Sequence, residues 1–367
     1  MTLIPHRTVA SQIAAQLRAD LGKGTWTGWL PSERVLSRTV QASRNTVRAA
    51  LEQLKADGLI APVRGLGNRV IGTVTSPPSR DDAKTVGVLI PEPIGRLRPL
   101  IALWIDELKD LLIEEGYRLR IHEGRQYYQT NPARALERLI GQHHHRAWVL
   151  TLSSEAMQRW FARRDTPCLV AGSTYPEVTL PHYDLDYRAI CRHAAGVLLR
   201  LGHRRLALLN RESRRAGDVD SERGFLEGVR ASPHAEAAAA IAYHRDDVES
   251  VARALRHLLD PKNPPTALLV SNSYAYLSAA SLLAQRGLRV PQEISLISRD
   301  DDPFLGSLAP EPARYRVDPH LFAKKVLSSL LQVLNHSSAS RSPAPLLPKF
   351  AAGGSTAAPP RGSGTTG

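Results

Sequence analysis

Cysteine is almost missing from this chain: Cys168 and Cys191 are the two among 367 residues. One disulfide at most could form, which excludes the stapled scaffold of a small secreted domain, and their apolar neighbours point to buried thiols with no redox role. Long apolar runs are missing too. None approaches the roughly 20 residues needed to span a bilayer, and the first residues lack the apolar segment of a secretion signal. A cytoplasmic protein without a membrane partner is therefore expected. Lysine is sparse in the C-terminal region, and none stands at a strand end beside acidic and phosphate-binding partners, which argues against a lysine-anchored cofactor. No nucleophile is patterned with a base, so no enzyme activity is expected and the catalytic and cofactor sets are empty. Acidic side chains are the minority. Against 35 Asp and Glu stand 48 Lys and Arg, a net charge of +13. Residues 1–84 alone hold 12 basic and 6 acidic side chains, or +6 in under a quarter of the chain. Such a balance favours contact with phosphates, though an anionic membrane surface would suit it equally.

What is present begins at residues 31–71. Pro31-Ser32 suits the start of a short helix over Glu33–Val40, with Ser32 placed to accept from the first free N–H groups. Gln41-Ala42 breaks that pattern. Ser43 is a second cap, opening a run with Val47, Ala50, Leu51 and Leu54 at helical spacing, and Gly58 stops it as a left-handed cap would. The other side of that helix start carries Arg44, Asn45, Thr46 and Arg48, residue types that hydrogen-bond phosphates and base edges in a major groove. Leu59–Val63 and Asn68–Ile71 read as strands around Arg64-Gly65-Leu66-Gly67, a tight basic turn. Upstream, Val9, Ile13, Leu17 and Leu21 form the stripe of a packing helix. A plain helical domain with a solvated arginine face is the competing reading, but such domains seldom combine both caps, the polar face and the basic hairpin.

Those residues carry a resemblance. Pro31-Ser32-Glu33-Arg34, then Ser43, Arg44, Thr46, Val47 and Arg48, then Gly58-Leu59-Ile60 with Gly65 and Gly67, resemble the GntR-family winged helix-turn-helix over about residues 6–71. The resemblance implies a double-stranded DNA operator as partner. It places Arg34, Ser43, Arg44, Asn45, Thr46, Arg48, Arg64 and Gly65 on that duplex.

The length leaves room for a further core of ordinary domain size. Residues 72–84, with Pro77-Pro78, read as a linker. From Thr85 onward apolar runs alternate with helical stripes. Val86–Ile90, Arg118–His122, Ala147–Leu152, Cys168–Gly172, Arg205–Asn210, Ala267–Ser271 and Ile294–Ser298 read as strands. Between them Leu100–Gly116, Pro132–Gly141, Ser154–Arg164, Tyr187–Gly202, Ser221–Arg230, Asp247–Leu259 and Tyr274–Gly287 read as helices. The alternation predicts an α/β fold of parallel sheets covered on both faces. Ser173–Asp186, irregular, is where a crossing between two lobes is expected. Residues 334–367, rich in Ser, Ala, Pro and Gly, read as a disordered tail.

Open parallel sheets bind ligands beyond the carboxyl ends of their strands. The polar residues found there are Glu92, Ser153-Ser154, Ser173, Asn210-Arg211, Ser271-Asn272-Ser273 and Arg299-Asp300, with Tyr274 and Tyr276 nearby. Hydroxyl-matching groups beside aromatic faces suit a carbohydrate. His143-His144-His145 invites a metal, but consecutive side chains diverge on any regular backbone, so the metal set is empty. Asn272 could equally cap the helix that follows it, and Arg223 could form a surface ion pair.

A second resemblance covers residues 85–333. Leu201-Gly202-His203-Arg204-Arg205, Ser221-Glu222-Arg223-Gly224-Phe225, Ala267–Asn272 and Arg286–Ile297 resemble the effector domain of the LacI/GalR family. That family is similar to type I periplasmic sugar-binding proteins. The resemblance implies two parallel-sheet lobes closing on a small effector and a homodimer on a palindromic site. It adds Arg223, Asn272 and Asp300 to Glu92, Ser153 and Ser173 as the expected effector contacts. The chain departs from the family at Asn272-Ser273, Ser298-Arg299-Asp300 and Pro312–Tyr315, so the ligand class is less defined than the fold. A constitutive DNA-binding dimer with a degenerate sensor, and an enzyme fused to a DNA reader, are the alternatives.

Overall fold

The computed structural model describes residues 8–22, 26, 28–63, 67–71, 84–213, 215–260, 262–335 and 343–360. Arg64, Gly65 and all but Lys84 of the expected linker lie outside them. The chain forms two compact units, the first holding the winged elements. These are α1 (Val9–Gly22), α2 (Glu33–Thr39), α3 (Arg44–Ala56) and a hairpin of β1 (Ile60–Val63) and β2 (Gly67–Val70). Ile13, Leu17 and Leu21 of α1 pack with Leu36 and with Val47, Ala50, Leu51 and Leu54 of α3. Val9, expected in that stripe, is 59% exposed, since it opens the helix a full turn before Ile13. Ser32 sits at the start of α2 without a side-chain cap; its carbonyl takes the N–H groups of Val35 and Leu36 instead. At the end of α3 the N–H of Gly58 reaches the Lys55 carbonyl and that of Leu59 the Leu54 carbonyl. This paired closure needs a left-handed residue, and Gly58 supplies it at φ +69°.

The second unit contains two sheets of the same winding. In lobe 1, β3 (Thr85–Ile90), β4 (Arg118–Glu123), β5 (Ala147–Thr151), β6 (Cys168–Ala171) and β7 (His182–Tyr183) lie in the order β4-β3-β5-β6-β7, all parallel. Helices α4 (Pro99–Glu114), α5 (Ala133–Gln142) and α6 (Glu155–Ala162) connect them. Lobe 2 runs α7 (Tyr187–Arg200), β8 (Arg205–Arg211), α8 (Ala216–Arg230), β9 (Ala238–His244), α9 (Val248–Leu259), β10 (Ala267–Val270), α10 (Ser273–Gln285), β11 (Ser295–Ser298) and β12 (Ala313–Arg316). Then α11 (Pro319–Leu334) returns to pack on α4 and on β5–β7, and β13 (Lys349–Ala351) goes back to lobe 2. Every residue of β3, β5, β6, β10 and β11 is buried, as expected of strands with helices on both faces.

The chain thus passes between the lobes after β7, after β12 and after α11. The expected crossing at Ser173–Asp186 is confined to its end, because His182 and Tyr183 still pair with β6. Helices α7 and α8 pack closely: a Cβ on Gly224 would lie 2.0 Å from the Arg188 carbonyl oxygen, so only glycine fits there.

The expected disordered tail is a correction. Within 343–360, β13 extends the lobe 2 sheet antiparallel to β12, and Leu346 bridges Leu185. Ser355 is fully buried, its Oγ donating to the Leu296 carbonyl and accepting from the Ala313 N–H. The segment has no periodicity because it is an edge strand and a threaded strap, held by sheet hydrogen bonds more than by an apolar face. Residues 336–342 and 361–367 lie outside the described residues.

Candidate functional site

On the winged unit, the Ser43 hydroxyl accepts the Thr46 N–H at 3.1 Å and pairs with Thr46 Oγ1 at 2.7 Å. Because the buried stripe of α3 faces the core, Ser43, Arg44 and Asn45 are left exposed at the positive end of the helix, with Thr46 half-buried. Arg34 is exposed on α2. Arg48 is exposed but engaged: its guanidinium lies 2.9 Å from Glu33, tying α3 to α2. The Arg48 hydrogen bond holds the Glu33 carboxyl below its usual range, and Glu33 raises Arg48 in turn.

In the second unit a cavity of about 130 Å³ lies between the lobes. Lobe 1 contributes Arg98 and Trp104 from the start of α4, Ser153 after β5, Ser173 after β6, and Phe322 of α11; lobe 2 contributes Arg211, Arg215, Asp218, Arg299 and Asp300. Trp104 and Phe322 meet edge to face at 5.5 Å, forming an apolar wall. The volume is small for a ligand pocket because Arg98 spans the gap, pairing with Asp300 and, at 3.1 Å, with Asp302.

Beneath it lies a buried charge cluster. Arg299 donates to Asp218 Oδ1 at 3.1 Å, to Ser221 Oγ at 2.8 Å and to Asp300 Oδ1 at 3.0 Å, and its guanidinium lies 4.4 Å from the Tyr187 ring centroid. Burial opposes its charge, but Asp218 together with Tyr187 and Cys191 more than offsets this, so the Arg299 pKa stays above its ordinary value.

Asp184, also on the cavity wall, accepts from Ser173 Oγ at 2.6 Å and from the Leu185 N–H at 2.8 Å. Burial still pushes its carboxyl up to about 6 from an ordinary 3.8. Below pH 3.8 the folded and unfolded chains both hold this proton; between there and 6 the unfolded chain releases it first, so stability falls as pH rises. Asp184→Asn keeps an acceptor for Ser173 and should flatten that fall. We expect the variant to be more stable at pH 7 by about 3 kcal/mol. Urea melts at pH 4, 5, 6 and 7 test this, and two parallel curves would refute it.

Of the six expected effector residues, Ser153, Ser173 and Asp300 line this cavity. Glu92 and Asn272 line the neighbouring outer hollow. Asn272 caps α10, its Oδ1 accepting from the Tyr274 and Ala275 N–H groups. Arg223 is not brought to either cavity; it sits on the solvent face of α8, 3.9 Å from Asp220. The reason is helix phase. Since α8 starts at Ala216, its inward residues are Asp218, Ser221 and Phe225. Tyr276 is in the core, and Tyr274 stacks on Phe304 at 5.0 Å rather than facing the inner cavity. The aromatic wall comes instead from Trp104, Tyr187 and Phe322.

Both cysteines are buried free thiols, raised by burial to about 12 at Cys168 and about 11 at Cys191. His145 does not act with its sequence neighbours alone: its Nε2 lies 2.7 Å from Nε2 of His122 on β4.

With this geometry in place, residues 9–70 match the bacterial regulatory proteins of the gntR family, and residues 195–356 match a periplasmic binding protein-like domain. The chain is a gntR-type winged helix joined to a periplasmic binding protein-like domain. Several proteins similar to it are named HTH-type transcriptional regulators. Similar proteins include the arabinose metabolism transcriptional repressor of Geobacillus stearothermophilus, 27% identical over 288 residues, which are 75% of this chain and 76% of that protein. The HTH-type transcriptional regulator CelR of Thermobifida fusca is 24% identical over 77% of this chain and 79% of its own length. Among solved structures, a putative LacI regulator from Bacillus cereus subsp. cytotoxis superposes with a TM-score of 0.67 at 18% identity, over 75% of this chain and 99% of that one. A LacI-family regulator from Enterococcus faecium with bound ribose gives 0.61 at 18% identity with the same coverage. These structures share the fold of the second unit. Among the described residues no helix is long and apolar enough to cross a membrane.

Proposed function

We propose that this gntR-type regulator binds a palindromic DNA operator as a cytoplasmic homodimer, and that a carbohydrate effector closing the lobe cavity changes its operator affinity. The observation that carries this reading is the pairing of two features. A Ser43-capped helix presents Arg44 and Asn45 at its positive end, and a separate cavity gathers hydroxyl and charged groups beside an aromatic wall. The names of the relatives, an arabinose metabolism repressor among them, support the same class of effector. Arg34, Ser43, Arg44, Asn45, Thr46, Arg48, Arg64 and Gly65 form the proposed duplex contacts, and Ser153, Ser173 and Asp300 the effector contacts.

Effector and operator are then linked reciprocally, with a coupling of about 1–3 kcal/mol. Footprinting of the full chain on the DNA upstream of its own gene, with and without sugars, tests this. We expect a protected two-fold symmetric site whose half-saturation moves about 5- to 150-fold with one sugar. Failure to retain any promoter fragment at low ionic strength would sink the reading.

A further inference from the structure

Resting on that carbohydrate reading, we infer that the effector carries a negative charge: a polyhydroxylated ligand bearing a carboxylate or phosphate group, held by Arg211 and Arg215. The inference comes from donors and acceptors around the cavity. Four carboxylates line it, Asp184, Asp218, Asp300 and Asp301, and both oxygens of each already accept a hydrogen bond. A neutral sugar, whose hydroxyls must also donate, shares these oxygens with Arg98, Arg299, Arg314, serine hydroxyls and backbone N–H groups, which leaves each oxygen fewer lone pairs to offer.

The donors are in surplus. Arg98 and Arg299 are satisfied by the aspartates. Among the described residues Arg211 has one ion-pair partner, the exposed Asp246 at 3.1 Å, and its Nε is buried with no acceptor. Arg215 precedes the first turn of α8 and has no ion pair or hydrogen-bond acceptor among the described residues, yet it lines both the inner cavity and the outer hollow. Burial pushes Arg211 down to about 10; Asp246 and Asp218 oppose the shift, and neighbouring Arg215 and Arg98 add to it. A buried guanidinium N–H left without an acceptor is costly, and an anionic oxygen fits it best. The adjoining His244 is 1% exposed and its Nε2 has no partner; with Nδ1 bound at the Arg245 carbonyl, Nε2 is an acceptor for a ligand hydroxyl.

Thermal melts of the full chain at constant ionic strength test this with matched probes: glucose, glucuronate and glucose 6-phosphate; galactose and galacturonate; ribose and ribose 5-phosphate; and inorganic phosphate alone. A charged sugar is expected to raise the melting temperature at a concentration at least tenfold below its neutral parent. Arg215→Gln should abolish that advantage, while Arg223→Gln, on the outer face of α8, should retain it. Whether uronates or phosphates respond identifies the anionic group. A neutral sugar binding as well as its charged counterpart, or an unchanged preference in Arg215→Gln, would overturn the inference and leave the carbohydrate reading standing. An equal response to inorganic phosphate would reduce the site to a bare anion site and also overturn it. Silence from every sugar, charged or neutral, would overturn the carbohydrate reading itself.

Discussion

Arg299→Ala should cost about 3–5 kcal/mol of folding stability, the penalty typical of removing one partner from a buried ion pair. The substitution leaves Asp218 and Asp300 buried, at 5% and 3% exposure, with Arg98 as the remaining guanidinium on Asp300 and, among the described residues, only a 3.3 Å hydroxyl contact from Ser213 on the Asp218 carboxylate. It also removes the cation facing the Tyr187 ring. Urea unfolding of the full chain, followed by circular dichroism, measures the loss. Adding Asp218→Asn and Asp300→Asn to the Arg299→Ala background should recover part of it, because uncharged amides need less from their surroundings. A loss under about 1 kcal/mol would show that water, not Arg299, solvates these carboxylates.

Arg44→Ala should weaken operator binding by about 1–3 kcal/mol, roughly 5- to 150-fold, if the guanidinium reads a base edge. Arg44 follows the Ser43 cap, is exposed, and has no ion pair among the described residues, so its donors are available to a duplex. Arg48 differs, since Glu33 already holds it and a phosphate must compete. Gel-shift titrations over a range of salt separate two modes of contact. A phosphate contact lowers the salt slope by about one unit and affects all sequences alike, whereas a base contact relaxes preference at one position. Unchanged affinity and slope would remove Arg44 from the interface.

Much of this was legible in the residues themselves. The strands of the sheet centres are unbroken apolar runs because both faces are covered, so Val86–Ile90, Ala147–Leu152 and Ala267–Val270 announce themselves. The edges do not. Ala238-Ala239-Ala240 opens β9 with exposed residues that carry no strand signal, and β13 has three residues. Ser153, Ser173 and Asp300 could be found because parallel strands bring their carboxyl ends to one rim. Arg98, Trp104, Arg215, Asp218 and Phe322 could not, for they come from helix starts and a returning helix whose placement depends on packing between distant segments. Arg223 was misplaced for a related reason: the helix begins five residues before Ser221, and that offset turns its side chain to solvent.

The route of the chain through the second unit has a consequence for its synthesis. Lobe 1 is covered by α11, which follows every strand of lobe 2 but β13, and the lobe 2 sheet receives β13 only after α11. Neither lobe is a continuous stretch of sequence, so neither can mature alone on the ribosome. Lobe 1 must wait for α11 and lobe 2 for residues 349–351, and until the latter arrive the nascent chain leaves the β12 edge open to a chaperone or to another copy of itself.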